Sequence, residues 1–146
     1  MSKFAIKSIV ISVVLTVTAA LAHEGATGVV KTRMDGFKQS QQDFKALIKA
    51  ARDGDYEMAA SLSQSLEQWG LSMPEYFPAG SNMPPSEAAD TIWSDPDGFA
   101  AAVENYVNAA SAINAAALAE DKSAIMAAIK MTSDSCSSCH QSYRVK

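Results

Sequence analysis

Cys136, Cys139 and His140 are the residues of this chain best placed to do chemistry. They stand as Cys136-Ser137-Ser138-Cys139-His140, the C-x-x-C-H pattern that attaches a c-type haem. The spacing has a physical reason. Two cysteines three apart on a helical turn can each form a thioether to one haem vinyl group. His140, four residues after Cys136, projects from the same face one turn on, where a ring nitrogen can ligate the iron. Covalent attachment keeps the haem in place when an axial bond breaks, and it couples cofactor binding to folding.

Three other uses of the cysteines fit less well. A thioredoxin-like dithiol needs a preceding strand and a βαβ setting, neither of which is visible. A closed zinc site needs four ligands, and the only other histidine is the distant His23. A disulfide across three helical residues is strained and closes a trivially short loop. The iron's second axial position must then face another helix. Met34 and Phe37, three apart on the first helix, share a face there. Methionine can ligate haem iron, but a methionine in an apolar stripe is more often core. Spacing alone leaves that choice open.

The elements that must position these residues read as helices: alanine is abundant, and apolar residues recur at three- and four-residue spacing. The first helix is expected over about 28–51, with Val30, Met34, Phe37, Phe44, Leu47 and Ile48 as its stripe and Asp53-Gly54 as its stop. A second is expected over about 55–69, burying Met58, Leu62, Leu66 and Trp69 and ending at Gly70. The long connection 71–94 holds Pro74, Pro78, Gly80, Pro84 and Pro85, too many breakers for a helix. Tyr76, Phe77, Ile92 and Trp93 are its apolar anchors, read as ordinary loop packing. Asp95-Pro96 opens a third helix to about 119, with Phe99, Val103, Tyr106, Ala110, Ile113 and Ala117 on one side. Glu120-Asp121 breaks into a fourth over about 122–144, where Ile125, Ile129, Thr132, Cys136, His140 and Tyr143 share a face. The expected fold is therefore all-α, a four-helix antiparallel bundle with one long loop between helices 2 and 3.

Lys3 and Lys7 precede an apolar run from Ser8 to Ala20, and Ala20-Leu21-Ala22 is a signal-peptidase pattern. The run is shorter than the roughly 20 residues of a spanning helix. We expect residues 1–22 to be a cleaved signal peptide, with no stable membrane anchor, and a periplasmic mature chain from His23. Of 146 residues, the 124 that follow make one domain, 23–146. Without Lys3 and Lys7 the chain has 10 basic and 16 acidic side chains, a net charge of −6. That balance argues against nucleic acid or an anionic membrane surface as partner.

At this point the chain resembles the class II c-type cytochromes, the cytochrome c-prime family. The resemblance runs along the whole mature chain. It rests on Val30-Lys31-Thr32-Arg33, on Phe77 to Ser81, on Ile92-Trp93-Ser94-Asp95 with Phe99, and on Cys136 to His140 with Tyr143-Arg144. The resemblance implies one haem c and places Arg33 near the haem propionates. The residue four after that arginine faces the open side of the iron, and here it is Phe37. Phenylalanine cannot ligate iron, so the resemblance implies a five-coordinate, high-spin haem with Phe37 packed over it. Met34 then reads as core or a haem-edge contact, and as sixth ligand only if the register shifts by about a turn. Arg144 matches a proximal-side arginine beside His140. Glu87 aligns more loosely with a loop residue that touches haem in some members.

Two function classes follow. One is an electron carrier that meets a redox partner protein at the haem edge. The other is a binder or scavenger of nitric oxide or carbon monoxide at a vacant iron site. Phe37 favours the second physically, while haem-dependent electron transfer is the broader description. No catalytic constellation is specified by spacing, so an enzyme is not expected, although chemistry on bound nitric oxide stays open. The resemblance also raises a homodimer through the first two helices, for which no apolar stripe is left over.

Overall fold

Aspartates start three of the four long helices. Asp55 Oδ1 accepts from the Met58 amide at 3.0 Å, Asp95 Oδ1 from the Gly98 amide at 3.1 Å, and Asp121 Oδ1 from the Ala124 amide at 2.9 Å. Each such cap is worth about 1 kcal/mol. The helices are α1 (Gly28–Asp53), α2 (Tyr56–Ser72), a short α3 (Thr91–Ser94), α4 (Pro96–Leu118) and α5 (Lys122–Tyr143). The computed structural model describes residues 25–145, so the expected export segment and His23 lie outside the described residues. α1 ends where Gly54 turns left-handed at φ 80° and its amide reaches back to Ala50 O.

The four long helices run alternately up and down in the ring order α1, α2, α4, α5, closed by one long connection between α2 and α4. The core is built from Leu47, Ala51, Leu66, Val103, Tyr106, Ile113, Ile125 and Ile129. Phe99, Val103, Tyr106, Ala110, Ile113 and Ala117 line the inner side of α4 as the periodicity predicts. Three sides of the ring are tightly packed. The fourth, between α1 and α5, has few close approaches.

Three expectations are corrected. Gly70 does not stop the second helix; α2 runs through it to Ser72. A Cβ at Gly70 would lie 2.7 Å from Val107 Cγ2 and 2.9 Å from Tyr106 Cδ1, so this glycine lets α2 and α4 close on each other. Gly70→Ala should therefore destabilise by about 1–3 kcal/mol through overpacking, although alanine is the better helix former. A denaturant melt measures this, and a stabilised variant would show that the seam has slack. Met58 is 49% exposed rather than buried; α2 instead turns Ala59, Ala60, Ser63 and Leu66 inward. The long connection is also more ordered than expected, with a 3-10 turn at Met73–Tyr76 and α3 at Thr91–Ser94.

Charge divides along the same lines. Residues 53–121 hold 12 Asp and Glu and no Lys or Arg. Every described basic side chain sits on α1, on α5 or, as Arg144, just after it. None of the described helices is long and apolar enough to cross a membrane.

Candidate functional site

The last turns of α5 are a polar run whose serine hydroxyls bond back to carbonyls of the same helix. Ser135 Oγ donates to Thr132 O at 2.7 Å, Ser137 Oγ to Ser133 O at 3.0 Å and Ser138 Oγ to Ser135 O at 3.1 Å. This frees the serines from needing other partners and leaves the remaining side chains to face the neighbouring helix. Cys136 and Cys139 are half-buried free thiols, while His140 is exposed. Burial pushes both thiols up from their ordinary pKa, with Cys136 adding a further upward push on Cys139. Neutral thiols are poor candidates for thiolate exchange. Burial, then the charge of Arg144, lowers the pKa of His140, which favours the neutral imidazole with a free lone pair.

Across the open seam from His140 stands α1. The rings of Phe37 and His140 are 6.4 Å apart at 68°. Phe37 also meets Trp69 edge-on at 5.2 Å and Phe77 at 6.3 Å. The aromatic wall continues from Phe77 to Phe99 at 5.1 Å and from Phe99 to Tyr143 at 5.5 Å. Phe77 and Trp69 are the residues that sequence reasoning assigned to loop and core. Their part in this wall depends on how the 73–95 connection folds back, a long-range event with no periodic signature. Met34 is half-buried on α1 and, unlike Phe37, is not among the partly buried side chains packed against the core.

Arg33 is only 3% exposed. Its Nη1 donates to Tyr76 O at 3.1 Å and to Ser81 Oγ at 2.8 Å. Its Nη2 donates to Ser81 O and to Ser86 Oγ. The guanidinium also lies 4.7 Å from the centre of the Phe77 ring. No ion pair to Arg33 occurs among the described residues, and burial lowers its pKa. Arg33 is thus the clasp of the long connection as well as a buried cation with no acidic partner there.

Glu87 and Arg144 form an ion pair, with Arg144 Nε donating to Glu87 Oε2 at 2.6 Å. Both line a cleft of about 380 Å³ with His140, Gln141 and Val145. A short backbone clasp holds them there. The Ala89 amide donates to Tyr143 O at 3.0 Å and the Val145 amide to Glu87 O at 2.9 Å. Thr91 Oγ1 adds a bond to Ser142 O at 2.6 Å, and Tyr143 OH donates to Asp95 Oδ2 at 3.0 Å.

Together these residues fit a flat apolar group with acidic edges. The α1–α5 seam is loosely closed and lined by aromatic rings, two thiols and an imidazole lie along one side, and a buried cation lies near the rim. Among the described residues no three His, Cys, Asp or Glu side chains are arranged to hold a metal ion by themselves.

Known proteins match the same stretch of chain. The family model for cytochrome c′ matches residues 28–144. The chain is 34% identical over 96 residues to cytochrome c-554 of Cereibacter sphaeroides, which covers 63% of this chain and 71% of that protein. It is 30% identical over 137 residues to cytochrome c′ of the same organism, 88% of this chain and 89% of the relative. The structure of a ferrous variant of cytochrome c prime from Alcaligenes xylosoxidans with bound NO superposes with a TM-score of 0.73 at 22% identity. That superposition covers 81% of this chain and 94% of the other. A bundle of this topology, with the C-x-x-C-H motif in its last helix and a family match across nearly all its described length, leaves one conclusion: the chain is a member of the cytochrome c′ family, whose proteins carry haem c.

Proposed function

We propose that this protein carries one haem c, covalently held by Cys136 and Cys139, with His140 as the iron ligand on one face and Phe37 filling the other. The observation that carries the reading is the 6.4 Å approach of the Phe37 and His140 rings across the loosely closed seam. Haem supplies one-electron chemistry when bound, and an iron face without a protein ligand supplies a place for a small diatomic molecule. The protein's part is to hold and to exclude. His140, kept neutral, offers its lone pair from α5. Phe37 offers no lone pair, and with Trp69 and Phe77 it keeps water and charged ligands from its side of the seam. Arg33 supplies a buried positive charge toward carboxylates at the rim. Met34 remains a contact at that rim, and Glu87 and Arg144 border the His140 side.

Electron transfer with a redox partner protein in the periplasm is the broad reading. Binding of nitric oxide or carbon monoxide is the second, and Phe37 specifically favours it. A ferrous variant of the cytochrome c prime of Alcaligenes xylosoxidans has been seen with NO bound. One electronic and electron paramagnetic resonance spectrum of the purified holoprotein tests both. High-spin ferric haem that takes up carbon monoxide on reduction is expected. A low-spin signal with a sulfur-to-iron charge-transfer band would sink the vacant site and bring Met34 forward. Phe37→Met is expected to convert most of the high-spin signal to low-spin. An unchanged spectrum would mean that Phe37 does not face the iron.

A further inference from the structure

Gly36, in the middle of α1, has no left-handed backbone to require it, yet a Cβ there would collide with a neighbour. The collision is with Trp69 of α2: a Cβ on Gly36 would lie 2.2 Å from Cη2 and Cζ3 and 2.8 Å from Cε3 of the indole. The six-membered edge of Trp69 is therefore seated in the notch that this missing side chain leaves. From that seat the indole meets the ring of the very next residue, Phe37, edge-on at 5.2 Å and 81°. Its other side is backed by Tyr76, stacked at 5.5 Å and 19°. Tyr76 is in turn held through its carbonyl by Arg33. The indole nitrogen is buried and donates to no acceptor among the described residues, so packing and not a hydrogen bond fixes its place.

We propose that Trp69, seated on Gly36, is a positioning residue that holds the Phe37 ring over the open iron face and so sets how readily a diatomic ligand reaches it. The inference rests on the function proposed above and names the residue that regulates the same site. Phe37 has two χ angles, and the Trp69 indole of α2 stands against the ring at 5.2 Å. Without that contact the ring leaves the ligand's path for part of the time.

The test is carbon monoxide association with the reduced holoprotein, followed by flash photolysis. Trp69→Leu should raise the association rate about 3- to 10-fold, the size of one lost aromatic pair. Trp69→Phe should recover most of the parent rate. In a Phe37→Ala background, Trp69→Leu should change the rate by less than about two-fold, because coupled neighbours are non-additive. Gly36→Ala, which keeps the indole but denies it the notch, should move the rate in the same direction as Trp69→Leu, and it serves if that variant folds poorly. A parent-like rate in both Trp69→Leu and Gly36→Ala overturns the proposal, as does a Trp69→Leu effect that persists undiminished without Phe37. A parent protein that is low-spin and takes up no carbon monoxide would instead remove the function on which the proposal stands.

Discussion

Haem is expected to stay with the parent chain through denaturing electrophoresis and to be absent from a chain carrying both Cys136→Ala and Cys139→Ala. The two thiols are half-buried in the last turns of α5. An axial bond from a single histidine does not survive unfolding, whereas a thioether does. Haem staining of the gel should therefore fall from full intensity to none in the double variant. Each single variant should keep a haem held by one thioether, with its absorption maximum moved because one vinyl group stays unreacted. Haem that persists on the doubly substituted chain would show that neither cysteine carries it. The double variant should also melt early. α1 and α5 make few direct contacts, so a chain without its haem lacks the apolar filling that closes the fourth side of the ring, and buried apolar area drives stability.

Arg33→Leu is expected to destabilise the holoprotein by about 2–5 kcal/mol. Two backbone carbonyls, Tyr76 O and Ser81 O, would lose their donor, and each buried unsatisfied acceptor costs about 1–3 kcal/mol. For a chain of this size that is a fall in Tm of about 10–20 °C. Lysine should rescue little, since a single ammonium cannot serve four acceptors spread over Tyr76, Ser81 and Ser86 as a planar fork does. Thermal melts followed by far-ultraviolet circular dichroism measure the loss. A fall of under about 3 °C would mean that water replaces the guanidinium and that the loop needs no clasp.

Most of the fold was legible because it is local. Asp55, Asp95 and Asp121 announce helix starts by type and position, and the stripe on α4 repeats with the helix period. Gly70 misled because a glycine after an apolar run also reads as a stop; its reason for being there is Tyr106 and Val107 on another helix. Met58 misled because its neighbours Ala59 and Ala60, small enough to let α4 approach, took the inward positions instead. The site divides in the same way. The C-x-x-C-H motif is legible within five residues; helical spacing offers Met34 and Phe37 together, and only resemblance to a family chooses Phe37. The places of Trp69 and Phe77, and the second role of Arg33 as a loop clasp, depend on contacts between segments 22–53 residues apart. No spacing rule reports those.

The division of charge has a consequence for how the molecule moves. With every described cation on α1 and α5 or directly after them, and residues 53–121 wholly anionic apart from neutral side chains, the protein is an electric dipole lying across the bundle rather than along it. In the field of another macromolecule it experiences a torque before it experiences contact. A cationic surface turns α2 and α4 toward itself; an anionic one turns the seam between α1 and α5. The torque acts over about 8 Å at physiological ionic strength. The face first presented to a visitor is thus set by the visitor's sign, and added salt should blur that choice.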